Sequence, residues 1–174
     1  SNFSYGQILN ETFDDDSKFN KSESFFTDGG SDYFGILDPV DGNSNDFDSN
    51  PNDNTPSGLS SFTGNVGNYL RGEDLDGEGG SKTQILTWTG LNINGFTNLN
   101  FSVKLGASNG FDSTDIIVLS VNVDNNGYND LFSFVAGGDG SNEFPTDGAT
   151  TLSLALQEIN GNIAFTGSSM DVRF

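Results

Sequence analysis

Ile117-Val118-Leu119-Ser120-Val121-Asn122-Val123, Asp124-Asn125-Asn126-Gly127-Tyr128-Asn129-Asp130 and Leu131-Phe132-Ser133-Phe134-Val135 follow one another directly in the chain. In the first run Ile117, Leu119, Val121 and Val123 alternate with Val118, Ser120 and Asn122, the period of a strand with one apolar face. The middle run consists of turn formers and reads as a hairpin loop closing the two strands. The same period recurs on both sides of this hairpin. Leu99, Phe101, Val103 and Leu105 alternate with Asn100, Ser102 and Lys104. Gln84, Leu86 and Trp88 share one face of Thr83–Thr89. Met170, Val172 and Phe174 oppose Asp171 and Arg173. Leu152, Leu154 and Leu156 alternate with Ser153, Ala155 and Gln157; a short helix fits that segment too, and the strand is the reading adopted.

Nearer the start, Phe25–Leu37 carries aromatics about a Gly29-Gly30 turn. Asp38–Gly58 is almost wholly Asp, Asn, Ser, Pro and Gly, which predicts a long solvated loop over residues 38–58. Short strands, many glycine turns and no convincing helix imply an all-β chain, an antiparallel β-sandwich of jelly-roll type, in a single domain over residues 1–174. No solenoid repeat is present, and the acidic loops lack the nonapeptide period of calcium-binding β-rolls.

Composition narrows the chemistry. The 174 residues include 25 Asp and Glu, nineteen of them Asp, against six Lys and Arg, giving a net charge of −19 with no His and no Cys. That charge argues against nucleic acid and anionic membrane surfaces as partners. No apolar stretch approaches the roughly 20 residues of a spanning helix. Without His and Cys the usual ligands of zinc, copper and iron–sulfur centres are missing, as are Ser-His-Asp and Cys-His catalytic sets. Paired carboxylates suit glycoside hydrolysis, but a catalytic acid needs an apolar pocket and these acids cluster in polar turns, so no enzyme is expected. Sixteen Phe supply the aromatic area that a disordered chain lacks.

The acids sit in Asp/Asn/Gly clusters such as Asp74-Leu75-Asp76-Gly77-Glu78-Gly79, where short carboxylates on permissive backbone suit Ca²⁺. A twelve-residue calcium loop beginning at Asp74 would end on Ile85, so that motif fails. A smaller irregular site at Asp74 and Asp76 is the expectation. A Cys-free, calcium-seeking chain of this kind fits a secreted or cell-surface location, with any targeting segment removed.

Two resemblances extend this. The opening Ile8-Leu9-Asn10-Glu11-Thr12-Phe13-Asp14-Asp15 and closing Ser169-Met170-Asp171-Val172-Arg173-Phe174 resemble the terminal strands of jelly-roll carbohydrate-binding modules. In those modules an acid from each terminal strand holds a structural Ca²⁺. The resemblance implies Glu11 and Asp171 as ligands, with Asp28 and Asp32 of Thr27-Asp28-Gly29-Gly30-Ser31-Asp32 assisting. Ser31-Asp32-Tyr33-Phe34-Gly35-Ile36, Tyr69-Leu70-Arg71-Gly72-Glu73-Asp74, Leu86-Thr87-Trp88-Thr89-Gly90-Leu91-Asn92-Ile93 and Phe111-Asp112-Ser113-Thr114-Asp115 resemble a β-sandwich domain of large secreted marine bacterial proteins. That likeness implies a non-catalytic accessory role.

Sugar-binding surfaces stack aromatic rings on pyranose faces and surround them with hydrogen-bonding groups. The candidates are Tyr33, Tyr69, Trp88 and Tyr128, with Arg71 and Lys104 as scarce cations. Trp88 fits a core plug equally well, since Leu86 shares its face. The expected partners are a polysaccharide, such as an agar-type galactan, and covalently linked catalytic or anchoring domains, with the chain itself a monomer. A calcium-stiffened structural or adhesive domain without a sugar ligand is the alternative.

Overall fold

In a computed structural model, residues 6–27, 33–38, 46–47, 62–64, 67–73, 75, 82–138 and 143–174 are described. They contain strands and no helix. Twelve strands occur in chain order: β1 (Asn20–Lys21), β2 (Phe26–Thr27), β3 (Tyr33–Asp38), β4 (Asp46–Phe47), β5 (Tyr69–Glu73), β6 (Leu86–Asn92), β7 (Leu99–Leu105), β8 (Ile116–Val123), β9 (Tyr128–Ala136), β10 (Pro145–Thr146), β11 (Gln157–Ile163) and β12 (Ser169–Arg173). A six-stranded sheet runs β1-β6-β12-β8-β9-β10. A second sheet is built on β3, with β2 and β4 along one edge and β5 along the other, and β7 pairs with β11 in a third. The strand pairings are antiparallel. The arrangement is consistent with a β-sandwich.

The opening hairpin sets the frame. Asp124 and Asn125 both take positive φ (51° and 59°) and Asn126 N–H bonds Val123 C=O at 3.1 Å, the signature of a type I′ turn. Gly127, at φ 98°, follows the turn as one extra residue, its N–H bonded to Asn122 Oδ1, and so sets Val121 and Asn122 against Asn129 and Tyr128. Leu119, Val121, Val123, Phe132 and Phe134 then all reach the core, while Ile116 and Val135, paired on the other face, stay exposed. Met170 and Val172 of β12 and Leu86 and Trp88 of β6 continue the apolar row.

Aromatic contacts tie the smaller sheets to this row. Phe19 meets Trp88 at 5.5 Å and Phe25 at 6.4 Å, and Phe25 meets Phe34 of β3 at 5.3 Å. Phe101 of β7 meets Phe132 of β9 at 5.9 Å. Large rings suit such bridges, because each buries 150–250 Å² and prefers tilted contact.

Two expectations change, and a third is not reached. The alternating Leu152–Leu156 run forms neither a regular strand nor a helix: it is held by isolated bridges at Thr151 and Ala155, and the ladder begins only at Gln157. The acidic stretch expected as a loop contains β4, whose two residues pair back onto Leu37 and Asp38. The Gly29-Gly30 turn lies outside the described residues.

Phe134 is fully buried (0% exposed) against Phe132. Phe134→Ala should cost about 3–5 kcal/mol in urea unfolding. Val135→Ala, one residue along and 43% exposed, should stay within about 0.5 kcal/mol. Equal losses at the two positions would contradict the assigned faces.

Candidate functional site

Strands β5 and β7 each belong to a different sheet, and no pairing joins them. A cleft of about 2640 Å³ runs along both. Inward side chains of the six-stranded sheet, among them Leu86, Trp88, Val121 and Val172, line it deep down. Asn100, Ser102, Lys104, Asn160 and Asn162, all exposed, line it from β7 and β11.

Tyr69, Arg71, Trp88 and Lys104 all line this cleft. Their roles differ. Lys104 is exposed on the outward face of β7, opposite Glu158 of β11. Along the same face Asn100 opposes Asn162 and Ser102 opposes Asn160, while Ser102 Oγ donates to Glu158 at 2.9 Å. This amide- and hydroxyl-rich ladder presents donors and acceptors side by side. Tyr69 is half-buried.

Arg71 is not an exposed cation. Alternation turns it away from the core, yet it is only 7% exposed, bonded to Glu73 at 3.0 Å and stacked on Phe62 at 4.9 Å. The covering ring arrives from Phe62, nine residues upstream, which local periodicity does not reveal. Trp88 is a core plug, 6% exposed, whose indole N–H donates to Glu11 Oε2 at 3.0 Å. Tyr33 stands opposite Glu73 in the register of β3 and β5, so its position shares a face with Tyr69 and Arg71.

Tyr128 lies elsewhere, at the start of β9 on the outer face of the six-stranded sheet. It is half-buried beneath Arg173, whose Cζ sits 3.9 Å from the ring centroid. Arg173 escaped notice because it reads as one more outward residue of the last strand.

The structure does not bring Glu11 and Asp171 together. Glu11 accepts from Trp88, on the core side, and from Phe13 N–H at 2.7 Å, fixing a residue with φ 54°. Asp171 lies between the inward Met170 and Val172 and so faces the other way. There it accepts Gly90 N–H at 2.8 Å. Between Met170–Leu91 and Val172–Trp88 the β6 register gains a residue, and Gly90, at φ 68°, forms the bulge. Asp171 thus caps an amide that the bulge withdraws from the ladder. Among the described residues no three carboxylates converge. Asp28, Asp32, Asp74 and Asp76 lie outside the described residues.

Other acids are likewise engaged by backbone. Asp124 Oδ1 accepts Ser168 and Ser169 N–H, both at 3.0 Å, clasping the β8–β9 turn to the start of β12. Gly167 makes this approach possible, since a Cβ there would run into Asp124 Oδ2 and Val123 Cγ1. The bonds from Ser169 and Ser168 hold the Asp124 carboxyl below its ordinary value. Asp112, bonded by Thr114, and Asp147, bonded by Thr150 and Ala149, are lowered in the same way.

Comparison with known proteins finds no matching family model, no similar curated protein and no similar solved structure.

A lowered folded pKa means that the Asp124 clasp contributes fully above roughly pH 5. The contribution is lost as pH falls through the ordinary value of 3.8 and then the lower folded one. Asp124→Ala should therefore lower the melting temperature at pH 7, and its deficit against the parent protein should shrink on acidification. A deficit independent of pH would contradict the charged clasp.

Proposed function

We propose that this chain is a non-catalytic carbohydrate-binding module of a secreted polysaccharide-degrading protein, a jelly-roll sandwich that takes a neutral or lightly charged galactan along the cleft between β5 and β7. The supporting observation is the convergence of an aromatic ring, a cation and an amide-rich ladder on one elongated opening. Tyr69 offers an amphipathic ring, and Lys104, Asn100, Ser102, Asn160 and Asn162 offer donors and acceptors at the spacing of a β-ladder. Hydroxyl-rich chains are held by many such modest contacts, each worth about 0.5–1.5 kcal/mol net. Trp88 supports this site from the core side, and Arg71, on the same face of β5 as Tyr69 and locked between Glu73 and Phe62, stiffens the strand.

No chemistry is required of the module. Retention on the polymer raises the effective concentration of any catalytic or anchoring domain joined to the same chain. The −19 charge repels dense polyanions, which favours a neutral backbone.

Structural calcium belongs to this reading. Asp28, Asp32, Asp74 and Asp76 are its proposed donors, short carboxylates in glycine-rich sequence. Glu11 and Asp171 each hold an oxygen on a protein N–H and stand on opposite faces, so they would not share one ion.

Affinity electrophoresis through agarose should retard the protein. Lys104→Ala and Tyr69→Ala should each weaken retention about tenfold, corresponding to roughly 1.4 kcal/mol, with melting temperature little changed for Lys104→Ala. Migration unaffected by this and other neutral polysaccharides would favour a structural or adhesive domain instead.

Calcium bound only by the folded state would add roughly 1–3 kcal/mol. Chelator added to protein purified with calcium should then lower the melting temperature by several degrees. Glu11→Ala should destabilise by breaking its bond to Trp88, equally with and without chelator. An unchanged melting temperature on chelation would remove calcium from the account.

A further inference from the structure

We infer that Arg173, laid across Tyr128 on the outer face of the six-stranded sheet, binds an isolated oxyanion, a sulfate ester or a carboxylate, on an otherwise neutral polysaccharide. This takes its ligand class from the carbohydrate reading above and adds a second contact surface on the side away from the core.

The chain has two arginines among 25 acids. Arg71 is paired with Glu73; Arg173 has no carboxylate partner among the described residues. Its guanidinium is nevertheless held in place. Arg173 is the register partner of Ser120 on β8, and Tyr128 stands one strand further, on β9, opposite Asn122. To reach the ring, the arginine stem crosses β8 at Ser120, a small residue that faces outward yet is 1% exposed. With Cζ 3.9 Å from the centroid, the ring covers one face of the guanidinium plane. The N–H edges remain, and those edges engage two oxygens of a carboxylate or sulfate at once. Stacking has already ordered the long side chain, which reduces the entropy lost on binding.

The neighbouring acids define the ligand further. Asp171 and Asp124 have turned an oxygen each to backbone amides of Gly90 and of Ser168 and Ser169. Asp130, opposite Ser120, is exposed and not in ion-pair contact with Arg173. This surrounding charge repels a polymer with an anion on every sugar, whereas a sparse substituent meets a single fixed fork of donors.

The test uses affinity electrophoresis in three gels: unsubstituted agarose, the same agarose with sparse sulfate esters, and the same agarose with sparse carboxylates. The parent protein should be held about tenfold or more tightly by at least one substituted gel than by the plain one. Arg173→Gln should lose that increment and keep the plain-gel retention. Arg173→Lys should keep only part of it, since an ammonium lacks the fork, and Tyr128→Leu should lower it by freeing the guanidinium. Which gel shows the increment identifies the oxyanion. Melting curves establish that each variant is folded; should Arg173→Gln fail to fold, Arg173→Lys decides. An equal hold in all three gels, or a full increment in the Arg173 variants, overturns the inference. An increment without plain-gel retention would instead overturn the cleft as a neutral-sugar site and leave Arg173 standing.

Discussion

The ring contacts between sheets carry the structure. Hydrophobic residues make up 33% of the chain, and apolar area must be concentrated where sheets meet. Phe19 reaches Trp88 and Phe25, Phe25 reaches Phe34, and Phe101 reaches Phe132. Through these contacts the N-terminal segment, β3 and β7 are fastened to the six-stranded sheet with few large side chains. The cleft follows from the same economy. Where β5 and β7 run without pairing a cleft lies between them, its floor the buried inward row of the large sheet, and the polar ladder of β7 and β11 lines it.

Short carboxylates do the complementary work in the turns. Asp124 joins a hairpin to the last strand, Asp171 caps the Gly90 bulge, and Asp112 and Asp147 hold local turns. An Asp side chain reaches a backbone N–H two or three residues away, which a Glu side chain does less readily, and this accounts for the preponderance of Asp among the described turns. Calcium and backbone capping draw on the same property of these residues. The acid-rich composition alone therefore does not separate them.

Much of the fold was legible in period-two alternation. β7 coincides with its apolar run, β8 and β12 nearly so, and Lys104 faces outward as alternation requires. β11 was hidden because Gly161 stands where its inward face expects an apolar residue. The Phe101 ring of the partner strand occupies that space: a Cβ at Gly161 would fall within 2.7 Å of the ring's Cζ. Leu152–Leu156 misled in the opposite sense, since alternation also appears in extended chain that joins no ladder. At the site, the exposure of Lys104 was readable, whereas the burial of Arg71 under Phe62 and the bond from Trp88 to Glu11 depend on segments distant in sequence. The Arg173–Tyr128 stack spans three strands and needed the register.

We propose that a neutral galactan chain lies in the cleft between β5 and β7. Backbone amide shift mapping by NMR, titrating the isotope-labelled protein with neutral agaro-oligosaccharides, tests it most directly. Saturable shifts concentrated at residues 67–73 and 98–106, with the cleft-lining amides of Asn160 and Asn162, are the predicted result. No shifts at millimolar sugar, or shifts confined to the outer face of the six-stranded sheet, would contradict it.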